Sequence, residues 1–289
     1  MLLQLLVSGL AVGSIYALLG LALVLIHKAT DVVNFAQGEM AMLLTFVAFV
    51  LVTKVGVPLP LMFLLAMPIG GLFGAFLQRW VIRPTSGGPR INALIVTIGL
   101  WIVLHHTAGW VWGYDPYRFP SLFPSAPVDI AGARLSASSL GVLGVSLLVM
   151  GGLYIFFEYT REGTAMRASS MNSMAAQLMG VRVQRVAMIA WALAGAISMI
   201  CGMLVAPLTF LDFEMMVTVL LSAFAGAVLG GFNSLPGTVL GCLLIGLVQN
   251  LLGAYVSSAF KEAAAFLIIV GVLMFQPQGI FTRATVRKV

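Results

Sequence analysis

The chain has 289 residues, of which 15 are basic and 9 acidic, a charged share of 8% where a soluble domain carries about 25%. With 61% apolar residues and a mean hydropathy of +1.09, it lacks the charges to wet the surface of a globule this size. Soluble enzymes and nucleic-acid binders are excluded despite a pI near 9.7, leaving an all-α integral membrane protein, a polytopic helical bundle.

A spanning helix takes roughly 20 mostly apolar residues. The first candidate, 2–26, has no basic leader and outruns a signal-peptide core, so it reads as a mature span. The next, 32–53, opens on Asn34, Gln37 and Glu39, and its first turns read as straight, broken or re-entrant helix. Further candidates are 55–78, 91–114, 135–157, 186–211 and 263–282. The uncharged stretch 215–260 is too long for one span and divides at the turn formers of 230–237. The expectation is about nine spans, within a range of eight to ten, in one transmembrane domain over residues 1–289.

Nine alternating spans place Lys28, Arg79, Arg83, Arg90, Arg161, Arg167, Arg182, Arg185, Arg283, Arg287 and Lys288 on one side, 11 of the 15 basic residues. Lys54, Arg118, Arg134 and Lys261 fall on the other. Positive charge marks the cytoplasmic side, which puts the N-terminus outside and the C-terminus in the cytoplasm. The extracytoplasmic loop 113–134 carries Pro116, Pro120, Pro124 and Pro127 among aromatic residues. It reads as extended chain at the interface or as a docking surface.

Gly9/Gly13, Gly70/Gly74, Gly226/Gly230 and Gly237/Gly241 recur at four-residue spacing, so each pair shares a helix face and invites close packing. Cys201 and Cys242 lie within apolar runs and read as a free pair. Polar groups at membrane depth line pathways or pair with one another. Asn34, Gln37, Glu39, Gln249 and Asn250 are the candidate substrate-pathway residues. Glu39 is either a membrane-depth carboxylate or a carboxylate in the first turn of a helix near the cytoplasmic interface. His105 and His106 read as interfacial packing. There are no catalytic or metal-ligating patterns, and a proton relay has only Glu39 to work with.

The cytoplasmic loop 160–185 is too polar to span, yet Met171, Met174, Ala175, Leu178 and Met179 form one helical stripe. Gly163 and Thr164 can start that helix and Gly180 can end it in a left-handed cap. By pattern alone it rests on the bilayer or fits a partner's groove.

The order Thr160, Gly163, Arg167-Ala168, Asn172, Ala175, Gly180 resembles the coupling loop of ATP-binding-cassette permeases. The stretch from Asn34 to Glu39 and the ending Gln276-Pro277-Gln278-Gly279-Ile280-Phe281 resemble the LivH-type branched-chain amino acid permeases, with Gln37 where histidine is frequent and Gln276 where arginine is usual. The resemblance covers essentially the whole chain. It implies a permease of the type II-like, large-permease group of importers, with a cytoplasmic coupling helix in which Gly163, Arg167, Ala168, Asn172, Ala175 and Gly180 meet an ATPase. It also implies partners: a second, homologous permease, two cytoplasmic ATPases carrying ATP and Mg, and an extracytoplasmic binding protein. The chain itself has no Gly-x-x-x-x-Gly-Lys-Ser/Thr phosphate loop and no cofactor of its own. The cargo implied is branched-chain or related amino acids across the bacterial cytoplasmic membrane. The alternatives are the same importer type for urea, amides or aromatic acids, and a stand-alone channel or secondary carrier.

Overall fold

The computed structural model describes residues 2–280 apart from 86, 124–126, 131–132, 258–259 and 277–278. Arg283, Arg287, Lys288 and part of the ending at 276–281 therefore lie outside the described residues.

Helix α1 (Leu2–Thr30) is apolar on every side, and such a helix is stable only when surrounded. It is the central post, packed on α10 (Leu235–Tyr255), α8 (Val183–Val205), α9 (Val217–Gly230) and α5 (Ala137–Tyr159). The second post is α8, against which α2 (Gln37–Thr53) and α3 (Leu59–Leu77) pack. Helices α4 (Arg90–Trp112) and α11 (Phe260–Phe275) are peripheral, resting on α2 and α9 respectively. Between α5 and α8 lie the short helices α6 (Arg161–Met171) and α7 (Ser173–Leu178).

Among the described residues, six helical stretches are long and apolar enough to cross a membrane: Leu2–Thr30, Leu59–Thr85, Ile91–Trp112, Ala137–Tyr159, Val183–Val205 and Leu235–Tyr255. Gln37–Thr53, Val217–Gly230 and Ala263–Phe275 are apolar but shorter. The 14 residues of α9 reach about 21 Å at 1.5 Å per residue, short of a core about 30 Å thick. Of the alternatives for the first turns of 32–53, the straight helix is set aside, because α2 begins only at Gln37.

Both short helices start inside the bundle. After α1 the chain turns at Asp31, whose φ of 56° is left-handed, a conformation aspartate tolerates better than most residues. Residues 32–36 then run back inward, and Gln37 meets Ala194 and Ser198 at the middle of α8. Met216 and Leu220, at the start of α9, pack against Gly38. From this shared level α2 runs toward the end where Phe46 and Phe49 contact Tyr117. Helix α9 runs the other way, to the turn where Lys28 of α1 donates to the Asn233 carbonyl (3.2 Å).

The two halves thus repeat one plan with the chain direction reversed. Each has a buried post (α1, α8), a half-length helix begun at mid-bundle (α2, α9), a helix opened by Leu-Pro (Leu59-Pro60, Leu235-Pro236) and a peripheral helix (α4, α11). The Leu-Pro helix of each half packs on the other half's post. This is the inverted arrangement common where a pathway passes between repeats.

All four glycine pairs lie at helix crossings. Gly9 and Gly13 abut Leu243, Leu247 and Asn250 of α10, and Gly70 and Gly74 abut Gly195 and Trp191 of α8. Gly226 and Gly230 face Gly241, Cys242 and Gly237. The two thiols sit apart on α8 and α10, pointing at the Ile15 and Ala223 carbonyls. Where extended chain was expected in the loop 113–134, there is also a hairpin of β1 (Pro127–Ile130) and β2 (Ala133–Ser136), pairing Val128 with Leu135.

A methyl at Gly74 would collide with the Trp191 carbonyl, whereas one at Gly71 would come no nearer than 3.7 Å to Ala192. Gly74→Ala is expected to cost about 1–3 kcal/mol through overpacking. Gly71→Ala should be neutral or gain up to about 1 kcal/mol from helix propensity. Thermal unfolding in detergent measures both, and equal effects would remove the backbone contact from this account.

Candidate functional site

The polar residues singled out at membrane depth separate into distinct groups. Asn34 and Gln37 are fully buried and build the break between α1 and α2. The Asn34 Oδ1 accepts from the Ala36 N–H (3.1 Å), an Asx turn. Its Nδ2 donates to Gln37 Oε1 (2.8 Å), and Gln37 Nε2 donates to Ser198 Oγ (2.5 Å). These amides are directed at one another and at α8, so they fix where α2 begins.

Glu39 is 3% exposed and lies in the first turn of α2, so the two alternatives for it coincide: a first-turn carboxylate in a helix that starts deep in the bundle. Trp101 Nε1 donates to its Oε1 (2.8 Å), and His105 Nδ1 lies 3.3 Å from its Oε2. Trp101 and His105 stand one helical turn apart on α4, and the set approaches the surface: Trp101 is 42% exposed and the His105 side chain 27%. Phe213, from the segment before α9, packs against His105, and His106 meets His105 edge-on. A carboxyl, an indole N–H and an imidazole beside an open helix face are costly against lipid. That face of α4 therefore suits a protein-lined, polar space.

This arrangement corrects the view of His105 as interfacial packing, because it has a carboxyl partner from another helix. The signal in the sequence was the Trp101/His105 spacing of four, which shows a shared face but not what lies beneath it.

Gln249 and Asn250 hold helices together. Gln249 Nε2 donates to Ser222 Oγ (3.0 Å), joining α10 to α9. Asn250 Nδ2 donates to the Leu5 carbonyl (2.6 Å) and Ser8 Oγ (2.8 Å), joining α10 to the start of α1.

The loop 160–185 folds at the end of the bundle where α1 finishes. Thr160, rather than Gly163 or Thr164, caps α6, accepting from the Gly163 N–H (3.0 Å). Gly163 is pressed on the Phe156 and Phe157 backbone, where a side chain has no room. The single helix expected here is two, because Asn172 leaves the helical conformation and caps α7, accepting from the Ala175 N–H (3.0 Å). Gly180, at a φ of 86°, follows α7 in the expected left-handed turn. Ala168 and Ala175 are exposed. Arg167 is turned back onto Glu158 of its own chain, and Arg185 pairs with Glu162. Met166 is buried and lines one small space with Leu25, Lys28 and Ala29 of α1, while Met171, Met174, Leu178 and Met179 are 76–87% exposed.

Gln37→Leu keeps the volume but takes the oxygen acceptor from Asn34 Nδ2, leaving it the weaker Met40 Sδ, and the donor from the Ser198 hydroxyl. Each buried group left unsatisfied costs about 1–3 kcal/mol. The expected result is a clear fall in the unfolding temperature of the detergent-purified protein, and an unchanged temperature would deny these amides their part in the break.

Known proteins agree with this architecture. Residues 5–276 match the family described as branched-chain amino acid transport system / permease component. The high-affinity branched-chain amino acid transport system permease protein LivH of Escherichia coli K12 is 30% identical over 99% of this chain and 97% of its own length. BraD of Pseudomonas aeruginosa, a permease protein of the same description, is also 30% identical, over 99% and 98%. The probable LivH of Methanocaldococcus jannaschii is 28% identical over 93% and 89%. Among solved structures, PsaBC from Streptococcus pneumoniae in complex with Fab superposes with a TM-score of 0.52 over 96% of this chain and 92% of that one, at 16% identity, a likeness of fold alone. With a family match from residue 5 to residue 276 and such relatives along nearly its whole length, the chain belongs to the permease components of branched-chain amino acid transport systems.

Proposed function

We propose that this chain is the transmembrane permease subunit of an ATP-binding-cassette importer for branched-chain or related amino acids in the bacterial cytoplasmic membrane. It works as one unit over residues 1–289, counting the short helices to make about nine membrane helices, with the N-terminus outside and the C-terminus in the cytoplasm. Its partners are a homologous permease, two cytoplasmic ATPases that carry ATP and Mg, and an extracytoplasmic binding protein that meets the side of residues 113–134. Hydrolysis falls to the ATPases, since the chain has no phosphate loop.

The observation that carries this proposal is the apolar stripe of α6 and α7, exposed at the foot of the central post. Methionine and leucine held out from the bundle in this way make an adaptable handle for a groove. The handle is mechanically close to the centre. Helix α6 packs on α1, where Met166 lines one small space with Lys28 and Ala29, and only the segment 31–36 separates that helix end from Gln37. A push on α6 is thereby passed to the level where α2 and α9 begin. There Glu39, with Trp101 and His105 beside it, faces the cargo's route. We assign the closed polar groups of Asn34, Gln37, Gln249 and Asn250 to shaping that route. The six loop residues form the ATPase-docking element: Gly163, Asn172 and Gly180 shape it, and Arg167, Ala168 and Ala175 border the partner.

Purified complex in liposomes should accumulate amino acid only with ATP inside the compartment that holds the ATPases. Accumulation without ATP would overturn the proposal. Met174→Glu places a charge on the handle and should cut uptake at least tenfold while leaving the unfolding temperature unchanged. Retention of full uptake would remove the stripe from the docking surface. Arg167→Glu should uncouple ATPase stimulation from transport. Because Glu158 pairs with Arg167, the exchange Glu158→Arg with Arg167→Glu restores the internal pair, and coupling should stay lost. Recovery would show that Arg167 acts through Glu158 and not on the ATPase.

A further inference from the structure

A basic cavity opens between the end of α3 and the start of α8, beside the loop 160–185 and away from Glu39 and the other mid-bundle polar groups. It measures about 580 Å³ and is bordered by Arg79, Arg83, Arg182 and Arg185, with Gln78 and Met188. Arg79 and Arg83 come from the π and 3₁₀ turns that extend α3, while Arg182 and Arg185 flank the start of α8. Of the four guanidinium groups only Arg185 has a carboxylate, Glu162 at 2.6 Å. Arg79, Arg83 and Arg182 have none among the described residues, and no acidic side chain lines the cavity. Gln78 is 4% exposed there, without a hydrogen-bond partner for its side chain among the described residues.

We infer that this cavity binds the phosphodiester headgroup of an anionic phospholipid. Cations gathered from two separate helices repel one another unless an anion is shared between them, and guanidinium forks match phosphate oxygens in bidentate fashion. Basic pockets between membrane helices on the cytoplasmic side take anionic headgroups for this reason. The surroundings select a lipid over a free anion. Trp80, 66% exposed, stands beside Arg79 as an interfacial anchor. Above it, Phe76 and Leu72 are 54% and 73% exposed on α3, an apolar wall along which acyl chains can lie. The π-helical turn Gln78–Ile82 widens the helix at this point, a distortion that recurs at functional sites. The cavity borders the far side of the loop 160–185 through Gln177, Val181 and Arg182, while none of the stripe residues Met171, Met174, Ala175, Leu178 and Met179 lines it.

The test uses the full-length chain purified in mild detergent with the subunits that accompany it, delipidated and then offered phosphatidylglycerol, phosphatidylcholine or inorganic phosphate. Native mass spectrometry reads what is retained. The wild type should hold phosphatidylglycerol at least tenfold over phosphatidylcholine. Arg79→Gln, Arg83→Gln and Arg182→Gln, made singly to spare the fold, should each lower that preference severalfold at an unchanged unfolding temperature. Arg161→Gln, a cation of the same end outside the cavity, should leave it intact. Equal retention of the two lipids by the wild type would overturn the inference, as would an Arg161→Gln loss as large as that of Arg83→Gln. Displacement of phosphatidylglycerol by inorganic phosphate at equal concentration would assign the site to a free anion and overturn the lipid. Loss of an ATPase subunit from the Arg83→Gln complex, with lipid retention unchanged, would make the cavity a protein contact and overturn it too.

Discussion

A helix that stops inside a bilayer leaves backbone donors and acceptors with no water to receive them. Everything distinctive in this structure depends on how the chain meets that constraint after α1. Asp31 turns the backbone, Asn34 closes an Asx turn, and Gln37 links the new helix to α8. These side chains do what solvent does at an ordinary helix end. Because they hold α2 at mid-bundle, Glu39 emerges at a depth where a carboxyl is expensive, and the indole of Trp101 and the imidazole of His105 are positioned to receive it.

The reversed repeat accounts for why the same solution recurs at α9. Each post is followed by chain that re-enters, and the two re-entries meet where Met216 and Leu220 cover Gly38. One break faces each end of the bundle. A pathway bounded by two such breaks can be opened from either side by moving one half against the other. The loop of α6 and α7 meets one of those sides, where α6 packs on the foot of α1.

Composition was enough to identify a membrane bundle, because 8% charge leaves no other class. The long helices could be read from their apolar runs, and the glycine pairs from their spacing. The partner of each pair lay beyond reach, since the sequence says that Gly70 and Gly74 share a face but not that Gly195 and Trp191 lie across it. The start of α2 was legible only as a set of alternatives for a related reason: the inward chain before Gln37 is nearly as apolar as the helix it precedes, so hydropathy sees one segment. The stripe at Met171–Met179 was legible as helix, while the break at Asn172 was hidden by a residue that helices also tolerate. The pairing of Glu39 with His105 joins positions 66 apart in sequence, and no local pattern encodes it. The cluster of Arg79, Arg83, Arg182 and Arg185 was visible only as a count of positive charge, with no hint that it encloses a cavity.

The glycine crossings also dictate where this molecule can yield. Backbone meets backbone at Gly70 with Gly195 and at Gly13 with Gly246, with no side chain between to change rotamer and absorb a displacement. Interlocked main chains do not slide without losing contact along their whole length. Helices α3 and α8 therefore travel as one lever, and α1 and α10 as another. Side chains intervene where α1 meets α8 and in the aromatic packing of Phe46, Trp112 and Phe213, whose rings can tilt past one another while both levers stay stiff.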